Sequence, residues 1–225
     1  FNEAGAIQDV LTRMPHSLLA RIGAQAEVFV IDNNSTDRTS EIALAAGANV
    51  IFEPKKGKGH AMRAGFATVP PDFKYVLMLD GDGTYDPSEM LRLIELLESD
   101  FCDVAMGSRL SGSLTEGSMR IVNRFGNWIF TFLVRQLYGA NTTDVLTGYF
   151  AWKKTVVDRL APHLESEGFA LEMEMVTKMS QLGDVIASAP ITYDPRVGDS
   201  NLSPVRDGAR IFWVVFRNLF WKPGK

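Results

Sequence analysis

Residues 76–86, Val-Leu-Met-Leu-Asp-Gly-Asp-Gly-Thr-Tyr-Asp, constrain the fold of this 225-residue chain more than any other stretch. An apolar strand runs into two aspartates one residue apart, with glycine between and after them. Asp80 and Asp82 would leave the strand end toward one small volume, and Gly81 and Gly83 let the backbone fold closely around whatever they hold. A hard cation, Mg²⁺ or Mn²⁺, carrying a nucleotide diphosphate suits that volume, because magnesium binds through one or two carboxylates plus substrate phosphates. Thr84 is the third candidate metal ligand. In open α/β sheets ligands collect at the carboxyl ends of strands, so this segment belongs in such a sheet.

The rest of the first half supports that class. Strand signals at 27–32, 49–53, 75–79 and 103–106 alternate with helix signals at 37–46 and 59–68. Asp86-Pro87-Ser88-Glu89 starts another helix with an Asp cap and Pro at the first helical position. Residues 107–118 read as a flexible Gly/Ser loop. Beyond it we expect helices at 119–138, 153–160 and 170–182, strands near 145–151 and at 185–193, a polar loop at 196–204, and an amphipathic helix at 205–221. The expected organisation is one catalytic domain over 1–203 and a C-terminal amphipathic helix over 204–225. The chain opens on Phe1-Asn2-Glu3 without an initiator methionine, and a first strand is expected upstream, ending beside the same pocket.

Composition narrows the function. A formal net charge of −4 argues against a general nucleic-acid binder. Residues 196–225 nevertheless carry six basic residues against Asp199 and Asp207, suggesting a face that meets phosphate. Cys102 is the single cysteine, which excludes an internal disulfide framework and points to a reducing compartment. No run approaches the roughly 18–20 apolar residues needed to span a bilayer.

Several chemistries compete for the aspartate pair. An EF-hand loop requires Gly at its sixth position and Glu at its twelfth; here those are Tyr85 and Leu91. A phosphatase of the haloacid dehalogenase type also places Asp-x-Asp-Gly-Thr after an apolar strand. It needs a later Gly-Asp-x-x-x-Asp, and Gly183-Asp184 is followed by no second acid. A non-catalytic nucleotide-binding module is a further alternative. Upstream, residues 30–37, Val-Ile-Asp-Asn-Asn-Ser-Thr-Asp, place Asp32 at a strand end, where it could accept from a base N–H. Gly57-Lys58-Gly59 is a turn before a helix, suited to an anion at a helix N-terminus.

Taken together, Asn2-Glu3, residues 32–37, Gly57-Lys58-Gly59, Asp80-Gly-Asp82 and residues 144–149 (Asp-Val-Leu-Thr-Gly-Tyr) resemble family 2 glycosyltransferases in order and spacing. The subgroup resembled is that of dolichol-phosphate mannose synthase and related polyprenyl-phosphate glycosyltransferases. The resemblance covers nearly the whole chain. It implies a GT-A (Rossmann-like) fold with a mixed, mainly parallel sheet flanked by helices. It also implies a nucleotide-diphosphate sugar donor, with GDP-mannose favoured, a divalent cation, and inversion at the anomeric carbon. Phe1, Asn2, Glu3, Asp32, Lys58 and Asp80 would then bind the nucleotide.

Gly107-Ser108-Arg109 matches the segment after the metal strand. Residues 119–124 resemble the acceptor helix, with Asn123 where serine is usual. Residues 196–202 resemble the lid, with Asn201 in place of lysine. Arg109, Arg120, Asn123, Arg124, Arg196 and Ser200 would meet the phosphate of a polyprenyl or dolichyl acceptor, and Asp80, Asp82, Arg109 and Arg196 would be catalytic. Arginine suits this because its planar fork grips phosphate oxygens in pairs. A phosphate acceptor needs no general base. An acceptor hydroxyl, the alternative together with small soluble phosphorylated acceptors, would need one, for which Glu172 and Glu174 are candidates. Aromatic-rich helices at 126–138 and 211–221 imply peripheral contact with the cytoplasmic face of a membrane.

Overall fold

The computed structural model describes residues 1–198 and 203–223. Strand β1 (Phe29–Asp32) pairs in parallel with β2 (Asn49–Phe52). A second sheet sets β3 (Tyr75–Met78), β5 (Phe150–Lys153), β4 (Val104–Leu114) and β6 (Ile186–Tyr193) side by side in that order. β5 is antiparallel to both neighbours and β4 is parallel to β6, so β3, β4 and β6 point one way. The fold is α/β with a mixed sheet flanked by helices.

Side chains alternate across a strand, and this period divides the four-stranded sheet between two cores. Val104, Met106, Phe150, Trp152 and Ile186 belong to one core; Ala105, Ala151, Ala187, Ala189 and Ile191 belong to the other. The large residues lie beneath α4 (Lys58–Thr68), α6 (Ile121–Tyr138), α7 (Lys154–Leu160), α8 (Leu171–Leu182) and α9 (Pro204–Leu219). The alanines make room for Leu93 and Leu97 of α5 (Met90–Glu98), with Leu19 of α2 (His16–Arg21) beside them. A smaller cluster joins Ile7 of α1 (Ile7–Thr12) and Ala43 of α3 (Thr39–Ala45) to Val30 and Val50. Trp152, fully buried, stacks on Phe150 at 5.1 Å and meets Phe66 edge-on at 5.4 Å.

The expected start of α5 is present: Asp86 accepts from Ser88 N at 2.9 Å, and one 3₁₀ turn, Pro87–Glu89, precedes the helix. The flexible loop expected at 107–118 is not. β4 continues to Leu114 along β6, with a register shift between Ser108 and Ser113. Its glycines serve close approach rather than mobility: a Cβ on Gly107 would lie 2.7 Å from Ile191 Cδ1, and one on Gly112 only 1.9 Å from Ile191 O. The strand expected near 145–151 is confined to Phe150–Lys153, leaving 144–149 as a loop. α9 is two-sided. Ile211, Val214 and Val215 enter the core, while Phe212, Trp213, Phe216 and Phe220 are exposed.

One buried ion pair ties that loop to the sheet. Arg109, on β4, donates through Nε and Nη2 to Asp144 at 2.8 and 2.9 Å, and its backbone N donates to the same carboxylate. Asn127 of α6 adds a bond of 2.6 Å, and Arg109 Nη2 also reaches Leu146 O. Burial pushes the Asp144 carboxyl up, but Arg109 outweighs it and holds the group below its ordinary value. A carboxylate depressed in the folded state adds stability above its unfolded pKa and loses it as pH falls through the folded one. Asp144→Asn is therefore expected to cost about 3 kcal/mol in urea unfolding at pH 7, because it leaves a buried guanidinium uncompensated. The gap from wild type should narrow below about pH 4.

Candidate active site

β1 and β3 end at the same cavity of about 1070 Å³, whose lining includes Phe1, Glu3, Asp32, Lys58, Asp80, Asp82 and Arg196. The structure thus gathers seven of the residues singled out in the sequence around one space.

Asp80, just past β3, is gripped from two sides. Lys58 Nζ lies 2.8 Å from Asp80 Oδ1 and 2.6 Å from Glu172 Oε1. Burial alone would pull the Lys58 ammonium down, but the two carboxylates outweigh it and raise its pKa above the ordinary lysine value. Glu172 is shifted up, because its burial outweighs Lys58. On the opposite side stands Gly148: a Cβ there would lie 2.3 Å from Asp80 Oδ2. Gly148 N donates to the hydroxyl of fully buried Tyr85 at 2.7 Å, which fixes the 144–149 loop against the aspartate turn.

Asp82 is buried, and its two oxygens have different partners. Oδ1 accepts from Thr84 N at 3.1 Å and from Thr84 Oγ1 at 2.6 Å. Oδ2 lies 2.9 Å from Arg196 Nη1, and Arg196 also bonds Glu3. Thr84, expected as a metal ligand, donates its hydroxyl to Asp82 and so orients that carboxylate. Burial raises the Glu3 carboxyl despite Arg196, and the nearby Asp82 and Asp80 add to the rise.

The nucleotide half is built from the N-terminal segment and the loop after β1. Asn2, at φ 56, donates its N–H to the Ser35 hydroxyl oxygen, and its side-chain oxygen accepts from Thr36 N at 2.8 Å. Glu3 N and Ala4 N donate to Thr39 and Asp37. Asp32 is buried and accepts from Ser35 N at 3.2 Å, while the Lys56 ammonium sits 4.4 Å from the Phe1 ring centre. The glycine-lysine turn differs from expectation. Gly59 N donates to Glu167 O at 2.9 Å, and a Cβ on Gly59 would lie 1.7 Å from Ser166 O. Its glycines therefore serve packing against 166–167, and Lys58 is the side chain that the turn sends to the cavity.

The proposed acceptor residues are not gathered in the same way. Arg109 spends Nε and Nη2 on Asp144 and Leu146, which makes it a buried strut of the sheet rather than an open phosphate fork. Arg120 caps α6 and Arg124 follows one turn later; both are exposed, with Asn123 half-buried between them. Ser200 lies outside the described residues. Glu174, one of the two candidate bases, accepts from Lys178, Arg217 and the backbone of 165–166, so it is structural. Gly148, Tyr85 and Asn127 had no assigned role. Gly148 and Tyr85 stand inside two of the segments that the sequence singles out, whereas nothing in the sequence marks Asn127.

The carboxylates fit a hard divalent cation. Asp80 and Asp82 offer oxygen donors, and each already faces a cationic side chain that stands where positive charge is wanted. Among the described residues no three His, Cys, Asp or Glu converge as a metal cage. Such a donor set suits a metal completed by phosphate oxygens and water.

Residues 1–160 match the family model described as Glycosyl transferase family 2. Glycosyltransferase AglJ of Haloferax volcanii is 36% identical over 96% of this chain and 69% of its own length. The dolichyl-phosphate hexose transferase of the same organism is 33% identical over 94% of this chain and 87% of its own. Among solved structures, glucosyl-3-phosphoglycerate synthase from Mycobacterium tuberculosis, in complex with Mn²⁺ and UDP-glucose, superposes with a TM-score of 0.74. It is 20% identical, and the match covers 97% of this chain and 76% of that one. The strand-end aspartates, the docked Asn2-Glu3 segment and these likenesses agree: the chain belongs to glycosyl transferase family 2, a transferase enzyme of GT-A fold.

Proposed function

We propose that this enzyme transfers a hexose, with mannose from GDP-mannose favoured, to the phosphate of a polyprenyl or dolichyl lipid with inversion at the anomeric carbon. The observation that carries the reading is the Asp80–Asp82 pair at the cavity, with Lys58 and Arg196 opposed to it. The name and 33% identity of the dolichyl-phosphate hexose transferase support the acceptor class.

Chemically, one oxygen of the lipid phosphate attacks the anomeric carbon. The bond from that carbon to the nucleotide diphosphate breaks, and its electron pair leaves with the diphosphate. A phosphate monoester has its second pKa near 6 and is largely a dianion at neutral pH, so no proton has to be removed. A divalent cation bound by Asp80 and Asp82 would act as Lewis acid for the departing diphosphate. The chain's own contributions are positional: Lys58 holds Asp80, Thr84 holds Asp82, and Arg196 supplies a guanidinium at the mouth.

The surface supports a peripheral membrane contact. Ile121, Val122, Phe125, Trp128 and Phe132 of α6 are exposed, the first at 84%. Phe125, Trp128 and Phe132 stack in a row at 6.1 and 6.2 Å between ring centres, with Arg120, Arg124 and Arg135 along the same helix. Aromatic residues with a basic fringe suit an anionic cytoplasmic leaflet. Among the described residues no helix is long and apolar enough to cross a membrane.

A nucleotide-sugar screen with a short polyprenyl phosphate and Mn²⁺, read by the mass of the lipid product, tests the reaction. A sugar-phosphate lipid is expected. Product formed only with 3-phosphoglycerate or with a sugar hydroxyl would replace the acceptor class. Asp82→Asn, folded by circular dichroism, is expected to lose about 100-fold or more in kcat. Full activity in that variant would refute the role given to Asp82. The double change Phe125→Ser and Trp128→Ser should weaken co-sedimentation with anionic vesicles about tenfold while leaving nucleotide binding intact.

A further inference from the structure

The cation that faces Asp82 in this structure belongs to the protein itself. Thr84 occupies Asp82 Oδ1 with two hydrogen bonds, so Oδ2 is the oxygen left for another partner, and Arg196 Nη1 lies 2.9 Å from it. A metal at about 2.1 Å from that oxygen would bring a second positive charge close to the guanidinium, with one carboxylate oxygen shared between them. Each cation therefore weakens the other's hold on Oδ2.

The two cations of the site differ in how firmly they are held. Lys58 is fixed between two carboxylates, Asp80 and Glu172, and lies at the start of a helix. Arg196 comes from the stretch after β6. Its side chain is 29% exposed, and its Nε is buried with no hydrogen-bond partner among the described residues. Its present pose leaves a donor unused, which a phosphate oxygen could take up.

We propose that Arg196 is the resident counter-ion of Asp82, and that a divalent cation displaces it. Metal loading and release of this arginine toward the acceptor phosphate are then a single exchange. The inference rests on the metal-dependent reading above and adds an order to it. In metal-free protein the arginine is engaged and the carboxylate neutralised, so the acceptor phosphate finds neither partner ready. Once metal and donor occupy Asp82, the guanidinium is free to meet the lipid phosphate. Binding linkage is reciprocal, so a phosphate that captures Arg196 must strengthen metal binding by the same factor.

The test is a titration of the whole protein with Mn²⁺ alone, free Mn²⁺ being read by electron paramagnetic resonance. Arg196→Gln removes the competing charge and is expected to bind Mn²⁺ about tenfold more tightly than wild type. Arg196→Lys keeps the charge and should bind more weakly than Arg196→Gln. Citronellyl phosphate, a short polyprenyl phosphate, should raise the Mn²⁺ affinity of wild type about fivefold or more. That gain should shrink in Arg196→Gln. Unchanged or weaker Mn²⁺ binding by Arg196→Gln would overturn the exchange and leave metal-dependent transfer standing. So would a wild type that shows no gain with citronellyl phosphate, a measurement that needs no variant. Absence of Mn²⁺ binding by every form would overturn both.

Discussion

Three carboxylates, Glu3, Asp80 and Asp82, share one partly buried cleft, and like charges so placed repel unless cations stand opposite them. Much of the surrounding structure supplies those cations at the right place. Lys58 is delivered by the first turn of α4, and that turn lies against 166–167 only because Gly59 has no side chain. Glu172, from the first turn of α8, holds the same ammonium from behind. Arg196 arrives from beyond β6, whose pairing with β4 needs the bare backbone of Gly112. The site is therefore a meeting of elements distant in sequence, brought together by close backbone approaches that only glycine permits.

That explains what could and could not be read from the residues alone. Short apolar runs interleaved with helix signals follow from local chemistry, so the α/β class and most element positions were legible. The stretch 107–118 was not, because Gly and Ser there mark a tight strand crossing rather than a loop. The difference lies in Ile191, some 80 residues away, whose backbone stands where a Cβ on Gly112 would go. Helices α1 and α2 also carried no clear signal. They are six residues each and depend on contacts with α3 and with the second core, not on their own periodicity.

The site divides along the same line. Carboxylates at a strand end announce themselves, because few other uses put two aspartates and two glycines after an apolar run. Arginines do not. Arg109 and Arg196 look alike in sequence, each near a glycine and a serine, yet Arg109 is paired with buried Asp144 while Arg196 faces the cavity. What separates them is a partner 35 residues downstream and the burial of both members of that pair. Glu172 and Glu174 present the same problem two residues apart: one touches Lys58, the other anchors Lys178 and Arg217.

The buried strut also links the two faces of α6. Its outer side carries the stacked Phe125–Trp128–Phe132 row, while on its inner side Asn127 donates to Asp144 and accepts from Leu146 N. Asp144 and Leu146 belong to the loop that ends in Gly148, which backs Asp80. Asn127, next to Trp128 in the same turn, therefore stands between that exposed aromatic surface and the loop that backs Asp80. A surface that seats this row against a lipid layer would set the height of the cleft above it through rigid, buried contacts. On the proposed reading, an acceptor whose phosphate is tethered to that layer would arrive at a fixed depth and gain from positioning more than from proton transfer. On that reading the buried Arg109–Asp144–Asn127 cluster would serve the same end as the charges in the cleft.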